Sequence, residues 1–557
     1  MMVLKNTMSL LKGIALLVIV NLMAHFTTIR FDLTEDKRYT LSPQALAMVE
    51  PFHTPVIIDV LLDGNIPSEF IKLKVETLQL LEQFATENNN IKYNLVDPLE
   101  DPSQREQTVL DLQQLGLKPA SVTIEAEGKV TQEIIFPWAM VNYDGQTVKV
   151  PLLKNKLGSS TEDRINNSVQ QLEYAFADAF MKLQAKKKKR IAVIKGNGEL
   201  DDKYLADYLT TIREYYNIGA ITLDSVSQNP QKVLDRLNEF DLALIAKPTE
   251  MFSDGEKYVM DQFIVQGGKS IWLIDQVAMD LDSLLNLNGR AVAASRSLNL
   301  DDFFFRYGAR INPVLVNDVY NTPIVLASGQ GNDSQYNPLP WVYHPMVFSR
   351  ENHPVNTNIE ALRFQFTNTI DTLANQNKKT ILLASSPLSK SEGTPKQVAL
   401  DIINEPLNQE NYAGKGNLPL AVLIEGTFHS AFKNRVKPLA LKKPLDDGIT
   451  NKMLVIADGD LIKNQLTNGR PLELGYDKWT NSFYGNKEFL VNSTNYLLDG
   501  TGLINIRNKK VAIPLLDNQK IVDQKQKWQL LNIGLPVALT LLFGIFINYK
   551  RRKKNTA

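Results

Sequence analysis

Two apolar segments bracket this chain and limit its architecture more than any other feature. The first runs from about Gly13 to Ile29 and the second from Trp528 to about Tyr549. Each is close to the roughly 20 residues a helix needs to cross the hydrocarbon core of a bilayer. A lone segment is stable there only as a helix, which satisfies its own backbone hydrogen bonds. The pattern predicts two membrane tethers with one large body between them.

Lys550, Arg551, Arg552, Lys553 and Lys554 follow the second segment at once and set its orientation. Such cations are retained on the cytoplasmic side, so the C-terminus is expected there. Two spans return the chain to the side it started from, which leaves both termini cytoplasmic and the body periplasmic. A cleaved signal peptide is the rival reading of the first segment. Met23, Ala24 and His25 make a poor cleavage site, which favours an uncleaved anchor. Asn21, His25 and Thr28 fall on one face of that helix, where polar groups either seek a protein partner or lie at headgroup level.

The body reads as ordinary folded protein. Lys and Arg total 61 and Asp and Glu total 61, so no net charge draws it to nucleic acid. Its length, about 500 residues, exceeds one core and calls for two or three domains. The chain has no cysteine, which rules out disulfides, thiolate metal sites and cysteine nucleophiles.

Along the body the periodicities alternate. Ser42-Pro43 reads as an N-capped helix start. Val56–Leu62 reads as a buried strand, Glu69–Thr86 as a helix, Ile91–Val96 as a strand and Thr108–Leu115 as a helix. Ala120–Ala126, Gly128–Phe136 and Met140–Val150 read as strands, with turns at Glu127-Gly128 and Asp144-Gly145. This order of elements resembles a thioredoxin-like domain, although no CxxC is present. Ser160–Gln184 is a long amphipathic helix that ends in the cations 186–190, a solvated helix end at a domain border. From Arg190 onward, short apolar strands alternate with helices, so a mostly parallel sheet covered on both faces is expected. Later strand candidates are Pro313–Val316, Ile381–Ala384, Ala421–Glu425 and Met453–Ala457. Ala327–Asn358 is rich in Gly, Asn and Pro and predicts a long ordered loop.

Candidate chemistry is sparse. Gly196-Asn197-Gly198 lies between a strand and a helix as a phosphate loop does, but position 201 is Asp where the third glycine belongs. A structural turn is the expectation. Gly267-Gly268-Lys269-Ser270 lacks the first Walker A glycine, because position 263 is Phe. His344-Pro345 and His353-Pro354 read as turn residues before they read as a metal pair. Asp458-Gly459-Asp460 can cradle a cation or cap a sharp turn, and the turn is expected. No catalytic, cofactor-binding or metal site is assigned.

Several segments carry a family resemblance: RFDLTEDKRYTLSP after the first span, TEDRINNSVQQLEYAFADAF (161–180), IAVIKGNGEL (191–200), MFSDGEKYVMDQFIVQGGKSIWLID (251–275), RYGARINPVLVND (306–318), MLVIADGDLI (453–462) and GNKEFLVNSTNYLLDGTGL (485–503). As a set they resemble the auxiliary proteins of ABC-2-type transporters, in particular the members linked to gliding motility and surface export. The resemblance implies a non-catalytic subunit in the bacterial inner membrane, partnered by an ABC permease and an ABC ATPase. A substrate-binding role is the alternative. It also implies an α/β fold with a large domain like class I glutamine amidotransferases (flavodoxin- or Rossmann-like), shared with an intraflagellar-transport protein. Without cysteine the amidotransferase reaction is excluded. The expected division is 1–30 for the cytoplasmic start and first span, 31–155 for the thioredoxin-like domain and 156–190 for a connecting helix. The amidotransferase-like domain follows over 191–515, then a linker over 516–527, the second span over 528–549 and a basic tail over 550–557.

Overall fold

Ser42 starts the folded body. Its hydroxyl accepts from the Ala45 N–H at 3.3 Å, and Pro43 stands in the first turn of helix α1 (Pro43–Val49), where its missing N–H costs nothing. The computed structural model describes residues 13–19, 21, 32, 37, 40–126, 129–154, 158–184, 189–328, 335–509 and 518–555. They divide into two compact units, one ending at Lys510 and the other starting at Val511.

The first part of the body is built on strand β1 (Val56–Val60), in which Val56, Ile58 and Val60 are buried and Ile57 is exposed. Helix α2 (Ser68–Glu87) crosses over to β2 (Ile91–Leu95), which pairs with β1 in parallel. Helix α3 (Arg105–Gln114) and a separate hairpin of β3 (Ala120–Ala126) and β4 (Lys129–Ile135) follow. Then β5 (Trp138–Tyr143) pairs antiparallel with β1, and β6 (Gln146–Pro151) with β5, which gives the order β2-β1-β5-β6. Asp144 and Gly145 both have positive φ, as the tight turn between β5 and β6 requires.

Helix α4 (Thr161–Gln184) is no mere spacer. Its stripe of Ile165, Leu172, Phe176, Phe180 and Leu183 is buried in the core of this first sheet, and Phe180 meets the rings of Phe52 and Phe84 edge-on at 5.7 and 5.1 Å. Leu503 and Ile506, from the far end of the body, enter the same core.

The second sheet begins with β7 (Arg190–Lys195). Alternate residues of this strand serve opposite cores, Ile191 and Val193 on one face, Ala192 and Ile194 on the other. After α5 (Asp202–Ile212) come β8 (Asn217–Thr222), α6 (Pro230–Leu237), β9 (Leu242–Ala246), α7 (Asp254–Val265) and β10 (Lys269–Leu273). Every residue of β9 is buried, as a central strand covered on both sides demands. Helix α7 opens with a capping box between Ser253 and Glu256. A long excursion then leaves the sheet before β11 (Lys378–Ala384), β12 (Pro419–His429) and β13 (Asp447–Ile456) complete it. The order is β11-β12-β13-β10-β9-β7-β8. The five strands from β8 to β13 run parallel, and β12 is antiparallel to its neighbours β13 and β11.

The excursion corrects one expectation. The stretch read as a loop over Ala327–Asn358 holds a 13-residue strand, Gln335–Val347, paired with Asn321–Ser328. Pro338 and Pro340 disguise it. They are tolerated because this part of the strand pairs on one side only, so a missing donor breaks no ladder. Pro313–Val316 likewise belongs to a small separate pair, Val314–Asp318 with Ser389–Gly393, and not to the main sheet.

In the second unit, helix α9 (Asn518–Asn555) contains one stretch, Asp523–Lys550, long and apolar enough to cross a membrane. Helix α8 (Asn486–Leu498), in the first unit, packs on the face of the second sheet that Ile191 and Val193 line. At the N-terminal segment, residues 13–19 and 21 are helical, and the rest of the expected first span lies outside the described residues.

Candidate functional site

Strand order reverses between β7 and β9, since the chain leaves β7 toward β8 on one side and β9 toward β10 on the other. In open α/β sheets the crevice at the carboxyl ends of two such strands is where ligands bind. Here the loops that could form it close on each other. The Asn197 carbonyl accepts from the N–H groups of Thr249 and Glu250, both at 2.9 Å, and the Thr249 hydroxyl donates to Gly198 O at 2.9 Å. Gly198, at φ +70°, is packed so closely that a Cβ there would sit 2.2 Å from Thr249 Oγ1.

The loop does form an anion cradle, but the chain fills it. The Glu199 carboxylate accepts from the Asn197 N–H at 2.9 Å, and burial raises its pKa above the ordinary value. A helix-entry nest of this kind receives a phosphate when vacant. With Glu199 in place, a phosphate would meet a carboxylate. The expectation of a structural turn at Gly196-Asn197-Gly198 rested on the absent third glycine, whereas the geometry adds a resident anion.

Next along the same edge, each parallel strand ends in a charged side chain. Lys247 follows β9, Asp275 follows β10, and Asp458 and Asp460 follow β13; all four are buried. Lys247 Nζ lies 2.5 Å from Asp460 Oδ2 and 3.2 Å from Asp275 Oδ2. Asp275 Oδ1 accepts from the Gly459 N–H at 2.5 Å, and Asp458 accepts from Asp460 N at 2.7 Å and Gln365 N at 2.6 Å. Two backbone features permit this convergence. Lys247 adopts φ +54°, which is strained for a non-glycine residue, and Gly459 touches it so closely that a Cβ would lie 2.5 Å from Lys247 Cγ.

The electrostatics settle into an ion pair with a neutral neighbour. Burial alone would lower the Lys247 ammonium, but Asp460 and Asp275 outweigh it and hold its pKa above the ordinary value. Burial would raise Asp460, yet Lys247 keeps it below the usual carboxylate range. Asp458 is pushed well above that range by burial and by the charge of Asp275, and Asp275 is raised by burial. Lys247 is therefore held protonated by the two carboxylates. The cation that Asp458-Gly459-Asp460 was expected to be able to cradle is the chain's own Lys247. The signal was present in the sequence, since Lys247, Asp275 and Asp458 each stand within two residues of an apolar strand's end.

The remaining sequence candidates are dispersed. His344 is fully buried against Trp341 and Phe366, and His353 packs on the Tyr496 ring at 4.5 Å, where burial lowers its pKa to about 4. Among the described residues no three His, Asp or Glu side chains group as metal ligands would. The Asn21 amide donates to Leu17 O within its own helix at 3.1 Å; His25 and Thr28 lie outside the described residues. Lys550 sits over the Phe546 ring at 5.7 Å, and Lys550 and Arg552 both belong to α9. Arg551, Lys553 and Lys554 lie on the same helix, with side chains outside the described set.

A protein-family model described as "ABC-type uncharacterized transport system" matches residues 188–493, more than half of the chain. A second, a domain of unknown function named DUF7088, matches residues 35–142. No curated protein matches. Among solved structures, the "mmIFT52 N-terminal domain" is similar with a TM-score of 0.32 at 13% identity, over 56% of this chain and 98% of that one.

Proposed function

The chain belongs to the ABC-type transport-system auxiliary family, and from that premise we propose that it is a non-catalytic, membrane-anchored auxiliary subunit of an ABC-2-type transporter. The observation that carries the non-catalytic part is the closed switch point. At the switch point the loop after β7 holds Glu199, and next to it Lys247 is locked by Asp460. ATP hydrolysis would fall to a separate ATPase subunit, and the body would join it and a permease to an extracytoplasmic partner.

Anchoring at both ends is supported by how the body terminates. Lys509 Nζ donates to Thr40 O at 2.7 Å and pairs with Glu173 Oε2 at 2.7 Å, and the same carboxylate accepts from Ser42 N at 2.7 Å. The two ends of the body thus meet at one place, which suits a domain held to one membrane by both ends. We read the order β2-β1-β5-β6 as thioredoxin-like, and the parallel set β8-β7-β9-β10-β13 as the flavodoxin-like order of an amidotransferase-type domain. Gliding motility and surface export, a periplasmic body and cytoplasmic termini belong to this proposal through the family resemblance and the cations at 550–554.

The test is co-purification. The full chain, tagged in an exposed loop, is extracted from native membranes in mild detergent. A stoichiometric ABC ATPase and multi-span permease, lost when residues 1–30 or 528–557 are replaced by unrelated anchors, would bear out the scaffold role. Recovery of the chain alone would sink it. The alternative role, a ligand-binding component of the transporter, is favoured by one observation, a polar cavity of about 570 Å³ lined by the excursion before β11 and by the segment between β11 and β12.

A further inference from the structure

A second cavity, of about 390 Å³, opens where the end of the strand Gln335–Val347 passes the end of β11. Its volume falls within the roughly 300–1,000 Å³ of small-molecule sites. Tyr320, Met346, Phe348, Pro387 and Leu388 wall it, and most of the lining surface is apolar. Tyr320 and Phe348 are 50% and 54% exposed, so the fold leaves much of both rings uncovered.

The walls are held in place without a ligand. The buried Asp318 carboxylate accepts from Ser386 N at 2.9 Å, Ser386 Oγ at 2.5 Å and Tyr320 N at 2.9 Å, which ties one wall to the other. Met346 N donates to Tyr320 O at 2.9 Å, and Val319 N to Leu388 O at 3.0 Å. The Ser385 hydroxyl shares a hydrogen bond with Ser389 Oγ at 2.6 Å and accepts from Leu418 N at 2.9 Å. Both serine hydroxyls in the wall are thus committed to the fold. A peptide or a sugar would bury polar groups here that the apolar walls do not pair.

Arg350 is the one charged residue among those that line the cavity. Its Nη2 donates to Asn417 Oδ1 at 3.2 Å, a neutral amide, and Asn417 is itself held by its N–H on Ser386 O at 2.9 Å. A guanidinium carries five N–H donors in a rigid fork, so this single bond leaves most of them for an anion. The polar cavity differs on this point, because its Lys390 and Lys396 already pair with Glu392. A cationic ligand would meet Arg350 as a like charge, and a phosphate dianion would have one cation to answer two charges. A carboxylate has one charge and matches the fork with two parallel bonds. Asp318 stands behind the wall and does not line the cavity; burial raises its pKa above the ordinary value.

We propose that this cavity binds a small monocarboxylate with an apolar body, the body against Tyr320, Met346 and Phe348 and the carboxylate on Arg350. The inference concerns a ligand site and not membrane partners, so its failure leaves the auxiliary-subunit reading standing.

The full chain in detergent is irradiated with subsaturating para-benzoylbenzoate, an apolar monocarboxylate whose excited ketone inserts into nearby C–H bonds, and mass spectrometry locates the label. Label is expected on the peptides that contain Met346 or Leu388, and excess phenylbutyrate should remove it. The neutral para-benzoylbenzamide should label them about tenfold less, and Arg350→Gln should lower labelling by the carboxylate about tenfold, the scale of a hydrogen bond to a charged group. Arg350→Lys should retain part of it, and Tyr320→Ala should weaken labelling by both probes. Arg350 and Tyr320 are exposed, so the fold should persist, and circular dichroism checks it. Label confined to α9, equal labelling by the amide, indifference to Arg350→Gln, or better competition by the tripeptide Gly-Gly-Phe than by phenylbutyrate would each overturn the proposal.

Discussion

Replacing Lys247 by methionine keeps the bulk of the side chain and removes the ammonium that faces Asp275 and Asp460. The side chains of Lys247, Asp275 and Asp460 are 10%, 4% and 6% exposed, so water cannot take the place of the lost charge. Breaking a buried pair from one side costs about 3–5 kcal/mol. At about 1.4 kcal/mol per tenfold, that is about two to four powers of ten in a local opening equilibrium. Hydrogen exchange read by mass spectrometry on peptides covering β9 and β13 reports this directly, because local protection measures the free energy of opening. The pH dependence supplies a second signature. In the wild type Asp460 is held below its ordinary pKa, so its contribution is present above that value and is lost only as pH falls through the lowered one. Without Lys247, burial raises the same carboxylate, and the sign reverses. The deficit of the variant should be largest near about pH 8 and should shrink toward about pH 5 as the stranded carboxylates take up protons. Exchange in β9 and β13 within about threefold of wild type, roughly 0.6 kcal/mol, would refute the reasoning, as would a deficit equal at both pH values.

Further outcomes follow from the same geometry. Asp458→Asn should flatten the pH slope of protection in β13: the raised Asp458 contributes stability below its ordinary pKa that fades as pH rises through the folded value, and an amide does not titrate. An unchanged slope between about pH 4 and pH 8 would show that Asp458 is not the titrating group. Gly459→Ala places a Cβ 2.5 Å from Lys247 Cγ and should cost about 1–3 kcal/mol, seen as a lower midpoint in urea unfolding. Because the chain has no cysteine, single thiols can map topology without background. In right-side-out vesicles, Ser225→Cys, on the exposed surface of the body, should react with an impermeant maleimide, and Asn555→Cys, beyond the apolar stretch Asp523–Lys550, should react only after permeabilisation; the reverse pattern would invert the orientation.

Much of the architecture is written locally. The cap at Ser42-Pro43, the buried stripe of α4, the hairpin at Asp144-Gly145 and the all-apolar β9 need only periodicity, turn chemistry and propensity, which act over a few residues. The strand at 335–347 was hidden because proline is a breaker by local rules, and Pro338 and Pro340 are harmless only because that part of the strand pairs on one side.

The apolar stretch within Asp523–Lys550 and the basic run at 550–554 are legible in the sequence by themselves, since length and composition alone make that helix a candidate span. The missing cysteine likewise removes thiol chemistry whatever the fold. The meeting of Lys247 with Asp275 and Asp460, separations of 28 and 213 residues in the chain, was decided by tertiary structure alone. So were the contact of Lys509 with Thr40 and the pairing of Arg290 with Asp401. Sheet order brings such residues together, and a linear pattern carries no record of which strand ends will become neighbours.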